Sequence, residues 1–111
     1  DETDKFIAFL DINPLVKGHT LVVPKVEVDY IFDLENQLLS ELFLFSKSVA
    51  KKIKKAIPCD RVGISVVGLE VPHAHVHLIP INQVNDMNFS RPKLKLSNNE
   101  MLALKNLILK S

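Results

Sequence analysis

His73-Ala74-His75-Val76-His77-Leu78-Ile79 is the stretch that decides how this chain is read. Three histidines alternate with three apolar residues, and the run ends at Pro80. In a strand, successive side chains point to opposite faces. Read this way, His73, His75 and His77 line one face. Ala74, Val76 and Leu78 fall on the other, where they can pack on a core. A helix would turn each histidine by about 200° from the one before, which assembles no single site. The run is therefore expected to be a strand whose imidazole face carries the chemistry.

Outward from the histidines, Val62-Gly63-Ile64-Ser65-Val66-Val67 reads as the preceding strand, joined to them by a short turn from Gly68 to Pro72. Phe6-Ile7-Ala8-Phe9-Leu10 reads as a buried strand. Asp11-Ile12-Asn13-Pro14 and Lys17-Gly18 supply turn chemistry. His19-Thr20-Leu21-Val22-Val23 follows as a second strand stopped by Pro24, so the two are expected to form an antiparallel hairpin. Leu38, Leu42, Phe45, Val49 and Ile53 recur on one helical face, with Asp33 as the expected cap and Pro58 as the end. Ser97-Asn98-Asn99-Glu100 is a capping box opening a C-terminal helix with Met101, Leu104 and Ile108 on one stripe. Ile81 to Leu96 is polar and irregular, and is expected to be a loop with at most a short extended piece. The order predicts an α+β fold: an antiparallel sheet of about five strands packed with one long helix, plus a C-terminal helix. The histidine face then lies open to solvent, ligand or partner.

The 111 residues suit one domain, and 47% hydrophobic content suffices for a core. A formal net charge of +1 advertises neither nucleic acid nor membrane as a partner. The lone Cys59 excludes an internal disulfide framework and suits a reducing, cytoplasmic home. Lys51-Lys52-Ile53-Lys54-Lys55 reads as a solvated helix face around a core isoleucine in preference to a nucleic-acid patch. Because a strand begins almost at once after Asp1, an N-terminal segment is expected upstream of the numbered residues.

Three histidines on one face suit two chemistries. They can converge on a metal such as zinc. A neutral imidazole is also a good nucleophile toward phosphorus, with neighbours to hold phosphate oxygens and pass protons. Spacing alone leaves these two open. Asp11 likewise has two readings: a carboxylate that accepts hydrogen bonds from a cis-diol, or an acceptor that initiates the turn before Asn13-Pro14.

The chain resembles the histidine-triad (HIT) family in two separate motifs. His73-Ala74-His75-Val76-His77-Leu78-Ile79 is similar to that family's His-x-His-x-His-x-x signature with apolar x. Asp11-Ile12-Asn13-Pro14 followed by Lys17-Gly18-His19-Thr20-Leu21-Val22-Val23-Pro24-Lys25 is similar to its upstream signature. The resemblance runs from about Phe6 to Ile81. It implies a homodimeric, metal-independent nucleotide-binding domain without a cofactor. It also implies hydrolysis or transfer at the α-phosphorus of a nucleoside phosphoramidate or dinucleoside polyphosphate. By that resemblance His75 is the nucleophile and becomes nucleotidylated. His73 and His77 flank it, His19 supports the cluster, Asp11 holds the ribose hydroxyls, and Phe9 and Ile12 lie beside a purine base and its sugar.

The chain departs from the family pattern at Gly68-Leu69-Glu70-Val71-Pro72, which is short and lacks the usual polar cluster before the triad. Glu27 stands where some members place a zinc-ligating histidine, so no such zinc is expected. Two alternatives stay open: a purine-nucleotide-binding module with little turnover, favoured by the short turn, and a metal-binding protein using His73, His75 and His77.

Overall fold

The computed structural model describes residues 1–111. Strands β1 (Phe6–Leu10) and β2 (Thr20–Pro24) form the expected hairpin, with Phe6 opposite Pro24 and Leu10 opposite Thr20. Gly18 takes φ +93° at its base, and a Cβ there would come within 3.0 Å of the Ile57 side chain. Only glycine enters that backbone region at low cost. A long helix α1 (Asn36–Ala56) crosses the sheet and leads into β3 (Arg61–Ser65), then β4 (Val76–Ile81), and the chain closes with α2 (Asn98–Leu109). The strand order is β1-β2-β4-β3, antiparallel throughout, so β4 inserts between the hairpin and β3.

The register sorts the two faces of the sheet. Val22 lies opposite both Ala8 and Val76, and all three are buried. They meet Leu42, Val49 and Ile53 of α1 in one core cluster that runs from Phe6 to Ile108. The neighbouring row, on the other face, reads Phe9, Leu21, His77 and Ser65 across the four strands.

The sheet has four strands where about five were expected. A further strand beside β1 is reduced to a single bridge between Glu2 and Ile7. The histidine run is not one strand: β4 begins only at Val76. The reason is that the neighbours run out, since β2 pairs with β4 no further than Val22 to Val76 and β3 no further than Ser65 to His77. His73 to His75 form a lead-in held from outside the sheet, where the Ala74 N–H donates to the Val28 carbonyl at 2.7 Å. Alternation survives there all the same, with Ala74, Val76 and Leu78 buried.

Pro24 ends β2 as expected, whereas Pro80 does not end its strand, since β4 runs on to Ile81. Pro80 lies beyond Leu78, the last residue that β2 flanks, where a missing N–H is tolerated. β2 starts one residue late, at Thr20, and β3 ends at Ser65 instead of Val67.

Asp33 does not cap α1. It belongs to a 3-10 turn, Ile31–Asp33, and Glu35 occupies the N-cap without a side-chain hydrogen bond. Pro58 follows the end of α1 as expected, and the Ser97–Glu100 capping box is made in both directions. The segment after β4 holds no extended piece. It folds as a 3-10 turn, Val84–Met87, closed by a Gln83–Asp86 capping box.

Leu42 is fully buried where α1 crosses the sheet. Leu42→Ala should cost about 2–5 kcal/mol, the range for emptying a close-packed leucine site. Urea unfolding monitored by circular dichroism checks this; a loss below about 1 kcal/mol would mean the helix–sheet seam is looser than its packing implies.

Candidate active site

Each histidine is held by a neighbour that fixes which ring nitrogen carries the proton. His19 ends the loop of the hairpin, and its Nδ1 accepts the Leu15 backbone N–H at 3.0 Å. A neutral ring accepting at Nδ1 carries its proton on Nε2. That Nε2 lies 2.9 Å from His77 Nδ1, so His19 donates and His77 accepts. His77 then carries its own proton on Nε2. No buried side-chain nitrogen lacks a partner, and His77 Nε2 has none within the protein, so this N–H faces accessible space.

The lead-in orients the other two rings through backbone carbonyls. His73 Nε2 donates to the Pro24 carbonyl at 2.7 Å. His75 Nδ1 donates to the His73 carbonyl at 2.8 Å. A neutral His75 therefore presents Nε2 as a bare lone pair. Its ring lies 4.9 Å from that of His77, nearly perpendicular at 69°.

The pair His19 and His77 is almost wholly buried, 2% and 8% exposed respectively. The imidazole face is thus not simply open, as the alternation suggested. Phe89 covers it, its ring 4.8 Å from that of His77 and 6.3 Å from that of His19. Burial lowers the His77 pKa to about 4, helped by the charges that His19 and His75 would carry. Burial also lowers that of His19, against the opposing pull of Asp11. Protonation would in addition place N–H against N–H within the relay, and oppose His19 Nδ1 to the Leu15 amide.

Asp11 sits beside the relay. Its backbone N–H donates to the His19 carbonyl at 3.0 Å, continuing the hairpin ladder. Its Oδ1 accepts the Asn13 N–H at 2.9 Å, so the turn reading of Asp11 is realised. Its Oδ2 stands 3.6 Å from His19 Nε2, beyond hydrogen-bond reach, and is available to a ligand. Phe9 shares a cross-strand row with Leu21 and His77, and Phe9 and Ile12 are exposed, at 45% and 80%. Glu70, in the short turn, is exposed, and Gly68 takes φ +74° there.

The atoms that converge most closely are not the three of the triad. One ligand atom each from Asp11, His19 and His77 lies within 4.8 Å of the others. A metal on His19 Nε2 would need that nitrogen deprotonated while Nδ1 still accepts the buried Leu15 N–H, which makes an imidazolate, or the hydrogen bond from the Leu15 amide must be lost. His73 and His75 each donate one ring N–H to a backbone carbonyl, which leaves their other nitrogens as free lone pairs. The Asp11–His19–His77 group suits a neutral hydrogen-bonded relay better than a metal centre.

Five contributors carry no signal in residue type or motif. Leu15 supplies only a backbone N–H, and the Pro24 carbonyl only an acceptor, so neither leaves a mark in residue type. Leu21 and Ser65 flank His77 by register, which sequence alone does not give. Phe89 is a lone aromatic in a polar stretch. Cys59 is a free thiol outside this cluster, and Lys51, Lys54 and Lys55 are solvent-exposed around buried Ile53.

A family model described as the HIT domain matches residues 1–84. The chain is 33% identical over 84 residues to adenosine 5′-monophosphoramidase of Saccharomyces cerevisiae, covering 71% of this chain and 51% of that one. It is also 33% identical over 92 residues to the asymmetrical bis(5′-nucleosyl)-tetraphosphatase of Schizosaccharomyces pombe, covering 75% and 50%. It thus spans about half the length of these two relatives. A solved structure, the hypothetical histidine triad nucleotide-binding protein of Sulfolobus tokodaii, matches with a TM-score of 0.82 at 30% identity, covering 99% of this chain and 79% of that one.

The direction of the His77 shift fixes a stability window. Its folded pKa, about 4, lies below the unfolded value near 6.5. Above pH 6.5 both states are neutral there and the contribution is fully present. Below it the unfolded chain takes the proton first, so stability falls between pH 6.5 and 4. Thermal unfolding across that range should show the loss, and His77→Asn should flatten it. An unchanged slope in that variant would assign the acid sensitivity elsewhere.

Proposed function

Because the chain belongs to the HIT family, we propose that it is a metal-independent nucleotidyl hydrolase or transferase working through a covalent intermediate on His75 Nε2. The observation that carries this reading is the His75 tautomer: Nδ1 is committed to the His73 carbonyl at 2.8 Å, which leaves Nε2 as the free lone pair. An uncharged nucleophile suits attack at a phosphorus already carrying negative oxygens.

The substrate is a nucleoside phosphoramidate or a dinucleoside polyphosphate, two classes that fit the names of the yeast relatives. A purine base rests against Phe9 and Ile12, and the ribose hydroxyls donate to Asp11. His77 Nε2–H donates to a phosphoryl oxygen, and His73 orients the nucleophile through its carbonyl, which accepts the His75 Nδ1–H. As the bond from His75 to phosphorus forms, the bond to the leaving group breaks, and that group departs with the electron pair and takes a proton from solvent. The ring becomes cationic, its Nδ1–H still donating to the His73 carbonyl. Water or another acceptor then attacks phosphorus, releasing the nucleoside monophosphate, a proton and neutral His75. Splitting one displacement into two lowers each barrier.

A purine-nucleotide-binding module is the second reading. It is favoured by the short Gly68–Pro72 turn, where Leu69 and Glu70 offer no uncharged polar group to a leaving atom. Turnover of an adenosine phosphoramidate separates the two, since binding alone yields no AMP. His75→Ala should abolish AMP release and the nucleotidylated protein seen by mass spectrometry, while its circular dichroism stays unchanged. Wild-type turnover in that variant removes His75 from the role.

For Asp11, the turn and the ribose can be separated. Asp11→Asn keeps an acceptor for the Asn13 N–H yet loses the charge that strengthens a hydrogen bond from a hydroxyl. AMP should bind about tenfold more weakly, near 1.4 kcal/mol, whereas a 2′,3′-dideoxy analogue should be nearly unaffected. Equal weakening of both by calorimetry assigns Asp11 to the turn alone.

We further propose a homodimer formed along β3. That edge has no strand partner, and Ile64, Val67, Phe32 and Phe43 are exposed large apolar residues of β3, its exit and the preceding elements. A two-fold pairing of β3 edges would cover them. Sedimentation at micromolar concentration should give a dimer, and Ile64→Lys should give a monomer. A monomeric wild type sinks the proposal.

A further inference from the structure

The stretch from Asn82 to Leu94 looks like a featureless polar connection in sequence, yet it is tied down at nearly every step. Asp86 Oδ2 accepts the Asn82 and Gln83 N–H groups at 2.8 and 3.2 Å. Asn88 Oδ1 accepts both the N–H and the hydroxyl of Ser90. Arg91 donates to the Asn85 carbonyl at 3.2 Å, and the Leu94 N–H donates to the Pro14 carbonyl at 2.8 Å. The last bond matters most, because Pro14 belongs to the loop that carries Asp11 and Leu15. The segment therefore spans from the end of β4 back to the hairpin loop, over the relay.

Phe89 is the side chain that this bridge delivers. Its ring meets that of His77 at 70° and that of His19 at 77°. The Lys93 ammonium lies over the phenyl ring, 5.8 Å from its centre, and donates to the Phe89 carbonyl. One aromatic side chain thus covers two hydrogen-bonded histidines, neither of which it can replace chemically.

We propose that Phe89 is a positioning residue for the histidine relay: held over His19 and His77 by the Asn82–Leu94 bridge, it keeps water from the pair and holds His77 as a neutral donor at Nε2. This rests on the histidine-transfer reading above for its purpose, although its physical content is independent of turnover. Desolvation disfavours the imidazolium and so opposes protonation of the pair. The other groups facing His77 are Asp11 at the end of β1, His19 before β2, His75 in the lead-in and Lys93 in the bridge itself. Asp11 pulls toward protonation while the three cationic or potentially cationic groups oppose it. With the phenyl roof gone, water enters, the burial contribution shrinks, and both the charge and the tautomer of His77 become less defined.

The test is a site-resolved titration of His77 by 1H–13C NMR of its Cε1–H, without substrate. The native midpoint is expected near 4. In Phe89→Ala it should rise by about one unit or more toward the ordinary 6.5. Phe89→Leu, which keeps an apolar cover, should stay near the native value, and Phe89→Gln, which keeps bulk but invites water, should follow the alanine variant. If alanine is too disruptive to fold, leucine against glutamine carries the same comparison. Where turnover is measurable, the acid limb of its pH profile should move with the NMR midpoint and KM should change less than kcat. A folded Phe89→Ala or Phe89→Gln protein whose His77 titrates as in the native chain overturns the proposal. Absence of turnover with a shifted midpoint leaves the roof standing and counts against the hydrolase reading instead.

Discussion

The Leu15 amide hydrogen bond to His19 Nδ1 is the constraint on which the site depends. A backbone N–H can only donate, so it forces an acceptor onto Nδ1, a proton onto Nε2, an acceptor onto His77 Nδ1 and a donor onto His77 Nε2. One peptide group thereby decides the protonation pattern of two side chains separated by 58 residues. At the far end of the cluster two carbonyls do the converse: those of Pro24 and His73 can only accept, which fixes His73 and His75 in the donating sense toward the backbone. The polarity of the whole cluster is therefore set by main-chain groups that have no other protonation state.

This dependence on the backbone explains why the histidines sit where the sheet stops being regular. A residue inside a central strand has its N–H and C=O committed to neighbouring strands. His73 to His75 lie beyond the pairing of both β2 and β3, so the His73 carbonyl is free to accept a hydrogen bond from His75 Nδ1–H. His77, one step inside the pairing, gains rigidity and burial in exchange. The transition from lead-in to strand between His75 and His77 thus places a half-buried ring beside one that is almost wholly buried, at 4.9 Å.

The alternation of apolar and polar residues made the fold class legible, along with the hairpin, the buried stripe of α1 and the two-faced histidine run, because burial follows the two-residue and 3.6-residue periods directly. Those periods do not say where a neighbouring strand ends, which is why the run was expected to be a full strand and β4 instead starts at Val76. Nor do they say whether an N-terminal stretch pairs over several residues or only at Glu2. The histidines and Asp11 stood out by residue type and motif. The groups that set their protonation did not, since a peptide N–H from Leu15 looks the same in sequence as any other. Phe89 was invisible for another reason: its bridge is built from local turns and side-chain caps, which have no period at all.

The row Phe9–Leu21–His77–Ser65 changes character along its length. Phe9, on an edge strand, is exposed, whereas His77, flanked on both sides, is 8% exposed. Such a gradient suits a ligand whose two ends differ. An apolar, planar group gains most where exposed apolar surface awaits cover, as at Phe9 and Ile12. A charged phosphoryl group gains most where donors are already oriented and little water must be reordered, as at His77 Nε2. On the proposed reading, Asp11 Oδ2, which stands 3.6 Å from His19 Nε2, would meet the polar sugar between those two ends. The neutrality of the relay then has a chemical consequence. A cationic cluster would bind phosphate tightly in both ground and transition states and gain little rate by it, whereas neutral donors and a neutral nucleophile respond to the charge that develops as the new bond forms. Burial opposes protonation of the relay, so under the proposed transfer at His75 the apolar packing around the histidines would belong to the chemistry as much as the rings do.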